Sequence, residues 1–196
     1  MRSLHDIRTA LAAHTPRDLA GRRRAAVAVV LHDTPEGPHA LFIERAERRG
    51  DPWSGQMAFP GGRVDPGDAD ARAAAERETR EEVGLDLANA ELLGRLGDVH
   101  AGVRVVAPLV LSAFVYVIDG PRVLIPNHEV RETLWVPVRR LLDPEHHVDH
   151  RWGIGRFPGI VVGEPGRHVV WGLTYQLVDE LCALGGVSLA GLRARH

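Results

Sequence analysis

Lysine is absent from this 196-residue chain, and all 24 positions counted as lysine plus arginine are arginine. Arginine presents a rigid fork of donors that matches phosphate and carboxylate, although genomic base composition accounts for the bulk of such a bias. No sign of charge dominates. The formal net charge is −2, so nothing in it points to a nucleic-acid tail or a polybasic membrane patch. Cysteine is reduced to Cys182, so no disulfide framework exists within the chain. That fits a reducing compartment. No stretch approaches the roughly 20 apolar residues of a spanning helix. The opening MRSLHDIRTALAAHTP carries His5 and Asp6 and lacks a long apolar run, unlike a signal peptide. These absences lead to the expectation of a cytoplasmic protein with no membrane contact.

What is present has the layout of one α/β domain over 1–196, with its core at about 25–184. Leu4, Ile7, Leu11 and Ala12 have helical spacing, which predicts a helix over 4–14 that Pro16 ends. AAVAVVL at 25–31 and ALFIER at 40–45 predict a strand hairpin. The Gly-, Pro- and Asp-dense run at 50–68 predicts mostly loop. Residues 69–83, rich in Ala, Glu and Arg, predict a helix capped by Asp68 or Asp70 and closed by Gly84. The apolar run 105–118 reads as a buried strand or pair of strands, 143–152 as a polar loop, and FPGIVV as a short strand. Residues 169–184 carry helical periodicity at Val170, Leu173, Leu177, Leu181 and Leu184. Strands interspersed with a few helices suggest a mixed sheet with helices on its faces.

The chemistry centres on RETREEVGL, Arg77 to Leu85. At about 3.6 residues per turn, Glu78, Glu81 and Glu82 share one face. Three like charges there repel unless Arg77 and Arg80, or a divalent cation, offset them. Mg²⁺ takes carboxylate oxygens and is usually completed by substrate phosphates. Taken alone, such a cluster is usually a solvated helix face. Upstream, FPGG at 59–62 places two glycines where backbone can approach a ligand or ion closely.

Together these residues resemble the Nudix box: Gly62, five residues, Asp68, eight residues, then Arg77-Glu78-Thr79-Arg80-Glu81-Glu82-Val83-Gly84-Leu85. Three departures stand out. Asp68 replaces the usual Glu, the second spacer is one residue longer, and Thr79 replaces an aliphatic residue. The resemblance implies a Nudix fold, a mixed β-sheet sandwiched between α-helices, and hydrolysis of a diphosphate joined to another moiety. It implies Mg²⁺ or Mn²⁺ held by Glu78 and Glu82, with Glu81 a third ligand, and Arg77 holding a glutamate in place. The family places the base differently in its branches; Glu81, Glu82 and Glu129 of PNHEV all remain candidates. Gly61, Gly62, Arg45 and Trp53 are assigned to cofactor and substrate binding, and a homodimer stays open.

The surrounding segment resembles the coenzyme A pyrophosphatase branch. Asp65-Pro66-Gly67-Asp68 fits that branch, as do Leu41, Gly55, Phe59, Pro60, Gly61 and Gly62 of its upstream signature. Gly50 stands near the signature's arginine, so Arg48 or Arg49 substitutes. Coenzyme A is therefore the first expected substrate. ADP-ribose, NADH, dinucleoside polyphosphates and damaged nucleotides are the alternatives, followed by a non-catalytic nucleotide-binding module. An isopentenyl diphosphate isomerase would need a cysteine near the metal, and Cys182 lies on the C-terminal helix. Trp53 suits base stacking or packing equally. Trp135 and Trp171 are expected in the core, His146, His147 and His150 exposed, Arg22 to Arg24 as a charged strand flank, and Cys182 buried.

Overall fold

A computed structural model describes residues 3–50, 53–101 and 109–193. In chain order the elements are α1 (Leu4–Ala12), β1 (Arg23–His32), β2 (His39–Arg45), β3 (Met57–Ala58), β4 (Gly61–Arg63), α2 (Ala71–Val83), β5 (Glu91–Arg95), β6 (Val99–Ala101), β7 (Leu109–Val117), β8 (Val130–Pro137), α3 (Val138–Leu141), a 3-10 turn (Pro144–His146), β9 (His147–Trp152), β10 (Gly155–Val161), β11 (Val169–Trp171), α4 (Gly172–Leu184) and α5 (Leu189–Arg193).

Among the described residues β1 to β8 form one mixed sheet, with β1 and β7 parallel and the other pairs antiparallel. β1 is covered on both faces, which is why it reads as an unbroken apolar run. Ala26, Ala28 and Val30 pack with Ala74, Ala75 and Val83 of α2. Ala25, Val29 and Leu31 join a second core with α1 and α4, through Ile7, Leu11, Leu177 and Leu181. Small alanines on β1 and α2 bring that helix close to the sheet. The expected sandwich of helix, mixed sheet and helix is the observed architecture.

The feature that places the site is a fork. β1 and β2 pair only at Leu31–Ala40 and His32–His39. Below that they diverge, and the β3–β4 segment enters between them. β4 pairs with β1 from Ala25 to Val27, and β3 pairs with β2 at Ile43 and Glu44. The Ala28 N–H donates to the Pro60 carbonyl at 2.9 Å. Gly61, at φ 147°, has a conformation that favours glycine, and any Cβ there would meet the Ala26 carbonyl.

Several expectations are corrected. The N-terminal helix stops at Ala12. The 50–68 run contains β3 and β4, short strands whose partners lie far along the chain. The run 143–152 is not a loop: the 3-10 turn leads into β9, which pairs with β10 through a turn at Gly153. His147 and His150 are half-buried rather than exposed, as is His146. His147 Nε2 lies 2.9 Å from the Leu141 carbonyl, and the His150 ring centroid is 5.0 Å from that of Trp171. Trp171 also meets Trp152 and Phe157, and both Trp171 and Trp135 are half-buried rather than core. Residues 169–171 form a strand before α4 begins, since β11 pairs with β10. Of the expected 105–118 strand, 109–117 is strand, and 105–108 fall outside the described residues. Cys182 is buried. Arg24 ends the charged flank in an ion pair with the buried Asp98 at 3.1 Å.

Candidate active site

α2 begins at Asp70, whose side chain accepts the Ala73 N–H at 2.8 Å, and ends at Gly84 with φ 70°. The helix runs along the mouth of the fork, so its carboxylates face Gly61 and Gly62. Glu82 is buried, and its Oε2 accepts the Gly61 N–H at 2.8 Å. Gly62 leaves room for Glu78: a Cβ there would lie 2.5 Å from the Glu78 carboxyl carbon. Burial pushes the Glu82 carboxyl up to about 7, against the pull of the Gly61 N–H and the Arg45 cation. Glu78 is also raised, chiefly by burial, against the pull of Arg77.

Arg77 organises the rest of the face. Its Nε and Nη2 grip both Asp68 oxygens at 2.9 and 3.0 Å. Its Nη1 reaches Glu78 Oε1 at 3.0 Å and Glu81 Oε2 at 3.1 Å. Arg77 holds Asp68 well below the usual carboxylate range. Asp68 therefore provides the bidentate contact despite being shorter than the customary Glu. Thr79, the other departure, is buried with its hydroxyl donating to the Ala75 carbonyl at 2.7 Å. Arg80 is exposed and, among the described residues, makes no ion pair with the cluster.

Glu78, Glu81, Glu82, Arg77 and Glu129 line one cavity of about 550 Å³, together with Asp65, Asn127 and His128. Glu129 arrives from sequence-distant chain. Residues 125–129 are tied to the C-terminal turn of α2, with the Ile125 N–H on the Val83 carbonyl and the Asn127 N–H on the Glu82 carbonyl, both at 2.8 Å. His128 also borders a shallower cavity of about 450 Å³ with Ala46, Glu47, Val130 and Arg131. Of the remaining candidates, Gly61 donates to Glu82, Gly62 lies against Glu78 and Arg45 acts on Glu82 through its charge, and none of the three lines the cavity. Trp53 is partly exposed in the loop before β3 and is not among the lining residues. Sequence reasoning missed Asp65, Asn127 and His128 as lining groups. Asp65 and the PNHEV stretch carried the signal, but only the docking of that stretch on α2 brings them in.

The donor set suits a hard divalent cation: two carboxylates raised by burial beside exposed Glu81, with backbone close by. A second acidic group is different. Glu44, Glu132 and His168 place ligand atoms within 4.8 Å of one another. Arg167 already fills that space, with Nη2 2.5 Å from Glu44 and 2.7 Å from Glu132. His168 Nδ1 accepts the Glu164 N–H at 2.9 Å. The ring proton is therefore on Nε2, facing the carboxylates, with no lone pair left for a metal.

The NUDIX domain model matches residues 22–154. The chain belongs to the Nudix family. It is 36% identical over 194 residues to the human protein "Mitochondrial coenzyme A diphosphatase NUDT8", covering 94% of this chain and 81% of that one. It is 31% identical to the Nudix hydrolase NudL of Yersinia pestis, covering 83% and 79%. A crystal structure of a MutT/nudix family protein from Enterococcus faecalis superposes with a TM-score of 0.56 at 19% identity, covering 91% of this chain and 68% of that one, a likeness of fold. Among the described residues no helix of this Nudix hydrolase is long and apolar enough to cross a membrane.

Proposed function

We propose that this Nudix pyrophosphohydrolase cleaves the diphosphate of coenzyme A or its acyl derivatives with Mg²⁺ or Mn²⁺, giving adenosine 3′,5′-bisphosphate and 4′-phosphopantetheine. The observation that carries the reading is the pair of a buried Glu82 and a half-buried Glu78, set against Gly61 and Gly62 in an acidic cavity. The likeness to the human coenzyme A diphosphatase over nearly the whole chain supports the substrate. A core running from Leu4 to Leu189 supports a single domain over 1–196.

Glu78 and Glu82 would hold the ions, with Glu81 as a third ligand. When bound, such ions would supply positive charge for the phosphate oxygens and acidify a water. The Gly61 N–H fixes Glu82, and Arg77 fixes Glu78 and Glu81. Of the three candidate bases, Glu81 and Glu82 would serve as ligands to the ions. Glu129, on the opposite cavity wall, is the one left to take the water's proton. As the water oxygen bonds to one phosphorus, the bridging P–O bond breaks and the second phosphate leaves. The cavity beyond His128 receives the part of the substrate that does not react.

The test is a panel with Mg²⁺: coenzyme A, acetyl coenzyme A, ADP-ribose, NADH and a dinucleoside polyphosphate, with products identified by mass. The expected result is turnover highest for the coenzyme A compounds. No turnover of them beside robust turnover of another member rejects the substrate while keeping the hydrolase.

A further inference from the structure

Glu129 is tightly placed in its backbone, whereas its side chain depends on a partner from another part of the chain. Its N–H donates to Asn127 Oδ1 at 2.7 Å, and its carbonyl accepts the Ala46 N–H at 2.8 Å. Its carboxylate is about one-third exposed, at 34%. A glutamate so exposed has several rotamers open to it when unpartnered, and fixing one costs entropy that some partner must offset. Glu78 and Glu82 in the same cavity also repel it.

One arginine supplies that partner. Arg48 Nη2 is 2.8 Å from Glu129 Oε1 and 2.9 Å from His128 Nε2. His128 Nε2 is itself 3.8 Å from the same oxygen. Both contacts fall on Oε1, leaving Oε2 for a proton from the cavity. Arg48 is held in turn by its own loop. Its N–H donates to Ser54 Oγ at 2.8 Å, and Ser54 Oγ donates to the Arg48 carbonyl at 2.9 Å. The Gly55 N–H closes the loop on the Arg45 carbonyl at 3.1 Å.

We propose that Arg48 is a positioning residue, which orients the Glu129 carboxylate toward the attacking water and acts on the reaction through Glu129 rather than through the substrate. This rests on the reading of Glu129 as the base. A guanidinium with two such contacts is already engaged before substrate arrives, whereas a substrate-binding arginine would be expected to face the cavity uncommitted. Lysine in its place would supply the charge without the planar fork.

Steady-state kinetics on coenzyme A with Mg²⁺ test it, using Arg48→Ala, Arg48→Lys, Glu129→Gln, the Glu129→Gln/Arg48→Ala pair and Glu82→Gln. Arg48 is well exposed, with its side chain at 45%, and thermal melts of its variants are expected to match wild type. The expected result for Arg48→Ala is a kcat lower by roughly tenfold to a hundredfold with KM within about twofold. Arg48→Lys should recover part of the loss. In the Glu129→Gln background, Arg48→Ala should cost nothing further, because the two residues act as one unit. A raised KM at unchanged kcat, or the same loss with and without Glu129, overturns the proposal. Full activity of Glu129→Gln beside an inactive Glu82→Gln also overturns it while leaving the hydrolase reading intact. Full activity of Glu82→Gln defeats that reading itself.

Discussion

Glu82 is a carboxylate placed where carboxylates are costly. Burial raises it to about 7, and the single Gly61 N–H does not compensate. In an unfolded chain the group would titrate near 4.5. Between those two values the folded, metal-free protein binds more protons than the unfolded one, so its contribution to stability falls as pH rises. A divalent cation binding the ionised form opposes that loss. Melting scans with and without Mg²⁺ should therefore show little stabilisation by the ion at pH 5 and clear stabilisation at pH 8; equal effects at both would contradict the assignment. At this scale the box was readable, because Glu78, Glu81 and Glu82 need only a helix to share a face. The departures were readable too, but their compensation was not. That Asp68 still reaches Arg77 with both oxygens depends on how far the 65–68 turn brings it. The Arg48–Glu129 pair was not legible, since 80 intervening residues must fold to join them.

Among elements, the informative contact is the one between β4 and α2. Gly62 is needed for space rather than for an unusual backbone angle. The group a Cβ would strike is the Glu78 carboxylate, at the end of a side chain that can move. Gly62→Ala should thus leave the fold nearly as stable, within about 1 kcal/mol, while displacing Glu78 and lowering kcat on the order of a hundredfold. A collapsed melting temperature, or undiminished activity, would show that the glycine serves another purpose. Elements whose period matched their surroundings were found from sequence: β1, buried on both faces, and α2, capped at both ends. β9 was missed because His150 and Trp152 share a face with Val148, so the alternation passes through a histidine and reads as polar. β11 was missed because Val169 and Val170 extend the apolar spacing of α4 backwards, although their partners are Val161 and Ile160 of β10.

For the molecule as a whole, the fork between β1 and β2 sets where the candidate site lies. Two cores, one on each face, hold the sheet rigid, and the β3–β4 segment in the fork carries two glycines to the flank of α2. Residues 125–129 then cap the same helix and bring Glu129 across from it. The buried Asp98 ties the segment before β1 to the sheet, accepting from the Leu19 N–H, Ser112, Arg24 and Arg95. Burial pushes Asp98 up, but these donors outweigh it and hold the group below the usual carboxylate range. Acid is therefore expected to loosen that anchor as it is protonated. The site itself is an assembly of like charges that the fold tolerates around α2, and the account stands on divalent ions occupying the space between them. Isothermal titration of Mn²⁺ into the wild-type protein and into Glu78→Gln/Glu82→Gln, repeated in buffers of different ionisation enthalpy near pH 7, measures this directly. The account predicts saturable binding with proton release in the wild type and its loss in the double variant. Absence of binding in the wild type, or undiminished binding in the variant, would contradict it.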